Sequence, residues 1–456
     1  MADLAVKKGM DINLAGVPAS DVVDAVAGDT VVVYPGEYRG VKPRLMVKEG
    51  DKVKRGSPLF FDKKQEAFRC CSPAAGTVET IAYGARRAIE QIAVRVGTRD
   101  QAEALPQHDA GALNGLSRDD VLAQLLATGY IAHIEQRPFS RIPDPAAQPK
   151  SIFVNAASTA PFCTDIQAAL PGHEAAFQAG LDVLSRLTDG PVHLVLPGGR
   201  SDLSPALTGA TGVEIHRITG PHPAGNTSVH IHLVDPISPG DTVWTVRATD
   251  AIQIGRLFLD GAPPPDRVVS VGGPAVQEDA RKHYRVRVGG SLDHVLNGHL
   301  QEGEIRILSG DVLGGSTLAA GAHLPFRANG ITVIAEDRSR EFLGWLAPGL
   351  SKRSSSRLFL STWVGGRRTW NLGSSRNGSL RAMVLTGLYD RFMPMNIMVD
   401  YLVRAVLAND TDEAVKLGIL ETTPEDFALC AFACPSKMDL VGIIQRGLDM
   451  IEEEGL

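Results

Sequence analysis

The sequence predicts a multidomain chain of α/β plus β type. A small β unit comes first, then a mostly parallel α/β unit, a small α+β unit, and helices at the end. Three observations predict it. The chain has 456 residues, room for roughly three domains at about 150 residues each. Its hydrophobic pattern changes period along the chain, from short runs broken by glycine to strands alternating with helices. Its composition, 44% hydrophobic and 21% charged, is that of a globular chain able to bury cores and excludes a disordered one.

Charge and composition exclude further classes. The net charge is −6, a poor match to general nucleic-acid binding. No apolar run reaches the roughly 20 residues that span a bilayer. The longest apolar region, Met383 to Ala408, carries Asp390, Arg391, Asp400 and Arg404 and reads as an amphipathic helix. Met1 to Gly9 has no apolar core after its basic residues, so no secretory signal is expected. Five cysteines make no disulfide framework, and the reducing cytoplasm is the expected compartment.

Residues 1–100 read as β. Thr30 to Val33 is a β-branched run, and Val47 to Phe60 holds two glycine turns, Gly50 and Gly56, six residues apart. With Pro73-Ala74-Ala75-Gly76-Thr77-Val78, this pattern resembles the barrel-sandwich hybrid of biotinyl and lipoyl carrier domains. Lys63 and Lys64 stand near the place of the modified lysine, but the flanking pattern of a biotinyl site is missing, so they read as solvated hairpin residues. Residues 101–283 hold a polar linker, a helix capped by Ser117, and an α/β region of Rossmann-like type. Its predicted elements are a strand from Ser151, a helix His173 to Leu187, strands Val192 to Leu196 and Val213 to Ile218, a helix Thr249 to Leu259 and a closing strand Arg267 to Val271. Neither G-x-G-x-x-G nor G-x-x-x-x-G-K-[ST] is present, so no phosphate-cradling loop is readable. Residues 284–340 alternate strand, helix, strand, strand, a β-grasp-type (SLBB-like) unit. Residues 341–456 begin with seven bases and no acid between Lys352 and Arg381, then carry thirteen acids against five bases from Asp390 in a C-terminal helical domain. Such segregation suits either a partner's surface or two solvated faces of one molecule.

Several strings in order carry a resemblance. They are Lys8-Gly9-Met10-Asp11, Arg137-Pro138-Phe139-Ser140, Gly220 to Gly225, His230 to Pro236, Ser309 to Gly315, Asn377 to Val384 with Tyr389, Arg391, Met393 and Pro394, and Leu429 to Pro435. Together they resemble the NqrA family, the A subunit of the bacterial Na+-translocating NADH:quinone oxidoreductase, which is related to the C subunit of Rnf complexes. The resemblance implies a peripheral subunit on the cytoplasmic face of the inner membrane, held there by the other five subunits, integral membrane subunits among them. It implies ubiquinone as substrate, FAD, FMN and iron–sulfur centres in partner subunits, and no cofactor held tightly or covalently by this chain. The isolated chain is then expected to be inactive. A purely structural scaffold and an independent Rnf-like electron carrier are the rival expectations.

A quinone needs an apolar slot and one or two hydrogen-bond donors. Two segments have that mix: Tyr38, Lys42 and Arg44 in one, Arg137, Phe139, Ser140 and Arg141 in the other. Phe139 would stack on the ring, and Arg137 or Lys42 would donate to a carbonyl. Both segments also read as loops packing on neighbouring subunits. Cys430 and Cys434 fall short of the four thiolates of a cluster and resemble a degenerate remnant of one, with buried structural thiols as the plainer reading. His222, His230 and His232, the last two on one face if the segment is a strand, lack an adjacent acid or cysteine, and no metal is assigned to them. No catalytic acid–base or nucleophile set is expected.

Overall fold

The computed structural model describes residues 2–455 except 27, 339–341, 345, 355–357, 365–367 and 385–386. Its centre is a six-stranded sheet ordered Ala2–Ala5, Glu214–Thr219, Val192–Pro197, Ser151–Asn155, Val243–Arg247, Ile134–Arg137. All pairs are parallel except the last. Alternate residues of a strand face opposite sides, so Leu194 and Leu196 enter the core beneath one face and Val195 enters the core on the other. On the first face, helices Glu174–Ser185 and Ala248–Asp260 cross at Gly180 and Gly255. A Cβ on Gly180 would strike the Ala251 carbonyl, and one on Gly255 that of Ala176. The absence of both side chains lets the two backbones touch.

The strand expected to close this sheet does not. Asp266–Gly272 lies in a second six-stranded sheet, between Ile331–Ala335 and His283–Arg287. The physical cause is Pro263-Pro264-Pro265. Prolines lack N–H groups and hold an extended backbone, which carries the chain off the first sheet. The order here is Ser316–Leu318, Ile305–Ser309, Ile331–Ala335, Asp266–Gly272, His283–Arg287, Val22–Ala25.

Residues 30–96 form the β unit read from the glycine turns. One sheet holds Thr30–Val33, Ile89–Val96, Gly76–Tyr83 and Lys52–Val53, the other Pro43–Leu45, Pro58–Asp62 and Arg69–Cys71. Gly50 and Gly56 both have positive φ, as turns require. The first 25 residues, however, serve the other two sheets: Ala2–Ala5 pairs with Glu214–Thr219 and Val22–Ala25 with His283–Arg287. Four-residue strands carry too little pattern to announce so distant a partner. Helix Arg118–Thr128 starts as expected, with Ser117 Oγ accepting from the Asp120 backbone N–H. The helix predicted over Met383 to Ala408 begins only at Val399. Pro394 disfavours helix for the residue before it, and residues 385 and 386 lie outside the described ones. Helices Val399–Leu407, Ala428–Ala433 and Leu440–Glu454 cover the second face of the central sheet. Of the basic stretch from Lys352 to Arg381, Arg357 and Arg367 lie outside the described residues.

The units meet at Asp250, which is fully buried. Its Oδ1 accepts from Arg267 Nη2 at 3.0 Å and from His133 Nδ1 at 3.1 Å; its Oδ2 accepts from Arg247 Nε at 2.6 Å. Burial alone would raise this carboxyl, yet Arg247, His133 and Arg267 outweigh it and hold it well below the usual range. Burial pushes His133 down, so a neutral ring donates. The two arginines reach onward to the Phe326 carbonyl at 2.6 Å and the Arg327 carbonyl at 2.7 Å.

Replacing Asp250 with Ala leaves these guanidinium groups without their carboxylate. Unfolding in denaturant should show a loss of about 3–5 kcal/mol, the usual cost of removing one partner of a buried pair. Because the folded value is depressed, this contribution is complete above the ordinary carboxylate value of about 3.9 and drains away as pH falls toward the folded one. The acid limb of the stability curve should therefore flatten in Asp250→Ala.

Candidate functional site

A cleft opens where the β unit, the α/β unit and the second sheet converge. Strand Thr30–Val33 leads into its first wall through the turn Pro35–Glu37, whose leading proline presets the turn's φ. This turn places Tyr34, Glu37 and Tyr38 on the cleft. Arg69–Cys71 adds Cys70 and Cys71; the end of helix Arg118–Thr128 adds Thr128 and Tyr130; the second sheet's loops add Leu324 and Phe326.

The walls are largely apolar. The Tyr38 ring lies 5.2 Å from that of Phe326 and 5.7 Å from that of Phe60. Burial pushes the Tyr38 and Tyr130 hydroxyls up and the Cys71 thiol to about 12, so no thiolate nucleophile is on offer at neutral pH. Glu37 is different. Its Oε2 accepts from the Phe326 backbone N–H at 2.6 Å. Burial pushes the carboxyl up to about 7, more than that hydrogen bond lowers it. At neutral pH it is therefore an acid and a base in comparable amounts, inside an apolar slot.

Of the residues singled out in sequence, Tyr38 lines the cleft; Lys42, Arg44, Arg137, Phe139, Ser140 and Arg141 do not. Lys42 and Arg44 are exposed on the β unit, with the Arg44 guanidinium 5.9 Å from the Phe61 ring. The two predicted segments do touch, through Arg39. Its Nη1 donates to the Phe139 carbonyl at 2.5 Å, and its Nη2 meets Asp449 at 2.7 Å on the C-terminal helix. Arg141 reaches Glu452 of the same helix at 3.0 Å. Phe139 and Ser140 have φ of 78° and 50°, uncommon for residues with side chains. In this tight turn Arg137 Nε and Nη1, Ser140 Oγ and Arg141 Nε are buried without a hydrogen-bond partner.

Other candidates resolve differently. The segment with His230 and His232 is a helix, Thr227–Val234, not a strand, and residues two apart on a helix face different ways. His230 Nε2 pairs with the Ala224 carbonyl at 3.0 Å, His222 Nδ1 with Thr159 Oγ1 at 3.1 Å, and His232 Nδ1 with Glu421 at 3.2 Å. Cys430 and Cys434 are buried, with Cys434 Sγ 2.9 Å from the Tyr389 hydroxyl, and burial raises the Cys430 thiol. Sequence reasoning passed over Tyr34, Glu37, Tyr130 and Phe326. Glu37 beside Tyr38 was the available signal; Phe326, in an irregular stretch far along the chain, offered none.

Comparison with known proteins finds relatives for the chain. Residues 4–97 match the NqrA N-terminal barrel-sandwich hybrid domain, residues 116–263 the NqrA second alpha/beta domain, and residues 268–320 the NQRA C-terminal domain. The chain is 39% identical over 453 residues to a protein of Alcanivorax borkumensis named as the A subunit of Na(+)-translocating NADH-quinone reductase, covering 99% of this chain and 100% of that one. Proteins of the same name from Klebsiella pneumoniae subsp. pneumoniae and Pasteurella multocida are 40% and 38% identical over the same 99% of this chain.

Glu37 sets a pH signature. Between the ordinary carboxylate value of 4.5 and the folded value of about 7, the folded chain keeps a proton that the unfolded chain has lost. Stability must fall as pH rises through that window. In Glu37→Gln the fall should lessen, leaving the part due to Glu425, whose carboxyl burial also pushes up to about 7; thermal melts across pH 4.5 to 7 will show it.

Proposed function

The chain belongs to the NqrA family, the A subunits of Na+-translocating NADH-quinone reductases, and from that membership we propose that it takes part in ubiquinone binding as a peripheral, cytoplasm-facing subunit of such a complex. Electrons reach the quinone from FAD, FMN and iron–sulfur centres of partner subunits, and the energy of that transfer exports Na+. The observation that carries the quinone reading is the cleft: an apolar slot walled by Tyr34, Tyr38, Tyr130 and Phe326, with one carboxyl half-protonated near neutrality. A quinone ring is flat and apolar with acceptor-only carbonyls. The aromatic walls suit the ring, and protonated Glu37 suits a carbonyl. Reduction of a quinone to a quinol takes up protons, and an acid poised at about 7 is matched to supplying one.

A second placement is favoured by the Arg137–Arg141 turn. Arg137, Ser140 and Arg141 offer buried polar atoms without partners, and a carbonyl acceptor would satisfy the donors among them, with Phe139 alongside. Lys42 and Arg44 would then flank the route in from the β unit. Both placements share the turn at Tyr38–Arg39, which joins cleft to loop through the Arg39–Phe139 hydrogen bond.

Attachment follows from a separate surface. Among the described residues no helix is long and apolar enough to cross a membrane. Yet Phe342 is 92% and Trp363 71% exposed, with Leu346 and Leu358 also open to solvent and Lys352 and Arg353 between them in the chain. Apolar surface so exposed marks an interaction site. We assign it to the membrane subunits of the complex.

Titrating short-chain ubiquinone into the isolated chain should give saturable binding, with no visible absorption band and no NADH oxidation by that sample. In the assembled complex, Phe326→Leu should raise the quinone KM roughly tenfold, about 1.4 kcal/mol, while Ser140→Ala leaves it unchanged; the reverse result selects the Arg137–Arg141 placement. If neither changes quinone affinity in an intact complex, the chain is a scaffold. Phe342→Ser with Trp363→Ser should reduce co-purification with membrane subunits without lowering the thermal stability of the free chain.

A further inference from the structure

Two adjacent parallel strands of the central sheet bring an unassigned cluster together. The register pairs His193 with Glu214 and Val195 with His216. Paired residues, and residues two apart on one strand, face the same side of a sheet. His193, Glu214 and His216 must therefore share one face. The facing atoms form a small triangle: His193 Nδ1 is 3.1 Å from His216 Nε2 and 3.4 Å from Glu214 Oε2, and His216 Nε2 is 4.0 Å from that oxygen. Among the described residues no other group of three metal-type ligands converges in this way.

We propose that His193, Glu214 and His216 bind one divalent cation of borderline character, zinc foremost, through His193 Nδ1, His216 Nε2 and a Glu214 carboxylate oxygen. The size fits. Tetrahedral zinc with bonds of about 2.0–2.1 Å needs ligand atoms about 3.3 Å apart, close to the 3.1 and 3.4 Å sides, while the 4.0 Å side ends on the exposed Glu214 carboxylate, which is free to close in. The donor set fits too: two imidazoles and one carboxylate suit zinc over calcium or magnesium, which prefer oxygen alone. Burial pushes both histidines below their ordinary value, leaving neutral rings with a lone pair to give. A hydrogen bond between two neutral imidazoles satisfies only one nitrogen of each, and here His193 Nε2 and His216 Nδ1 are buried without any partner. The two rings are thus confined side by side, with the Phe153 ring 4.6 Å from that of His193. Glu214, by contrast, is 63% exposed, so the carboxylate corner of the triangle faces water. Bound there, the cation clamps the beginnings of two strands that otherwise hold together by their ladder.

The test uses the full chain, treated with chelator, then titrated with Zn2+ alone by calorimetry and followed by thermal melting. One Zn2+ per chain should bind and raise the melting temperature, and Co2+ in its place should give the visible absorption of a tetrahedral site. Glu214→Ala, a change at an exposed position, should weaken binding at least about tenfold. His216→Gln should weaken it further, and His232→Gln should leave it unchanged. Absence of saturable binding overturns the proposal. So does binding that survives Glu214→Ala at full strength, a readout that holds even if the buried-histidine variant does not fold.

Discussion

Asp250 is the constraint around which the molecule is arranged. One carboxylate without access to water fixes His133 from the α/β unit's connecting turn, Arg247 from the end of a central strand, and Arg267 from the second sheet. A buried charge must be compensated, so these groups cannot drift apart without leaving charge stranded. The arginines spend their remaining donors on the Phe326 and Arg327 carbonyls. Arg327 in turn meets Glu135 at 2.6 Å, and Glu37 holds the Phe326 N–H. The loop that walls the cleft is thus gripped from three units, and the cleft inherits its shape from an ion network that does not line it.

Much of the architecture was legible because it is local. Glycine turns at Gly50 and Gly56, the Ser117 cap and the strand–helix alternation from Ser151 each depend on residues within a few positions. What escaped was long-range. The prolines after Gly261 were visible, but nothing nearby says that they export Asp266–Gly272 to another sheet. The His230 segment is apolar and short, and such a run does not distinguish helix from strand. The resemblance carried the family, since its strings lie in order over almost the whole chain.

The site divides in the same way. Tyr38 was reachable because an aromatic close to the cationic Lys42 and Arg44 is a conspicuous local mixture. Tyr130, Phe326 and the pairing of His193 with Glu214-x-His216 depend on which strands and loops lie side by side. Residue type alone could not rank them above the proline-flanked His222 or the cysteines near the C-terminus. Those attract notice by spacing, yet the structure spends them on local hydrogen bonds and packing.

The first 25 residues impose an order on biosynthesis. Ala2–Ala5 waits for Glu214–Thr219, and Val22–Ala25 waits for His283–Arg287. At ~5–20 residues per second of translation, the second wait lasts roughly 13–50 s. During it the leading segment hangs unpaired in front of a β unit whose own strands, Thr30 to Val96, are already complete. These two strands are therefore stitched in after the β unit that follows them, the first into the central sheet and the second, later, into the other. A nascent chain stalled before residue 214 would hold every strand of the β unit while Ala2–Ala5 and Val22–Ala25 still lacked their partners.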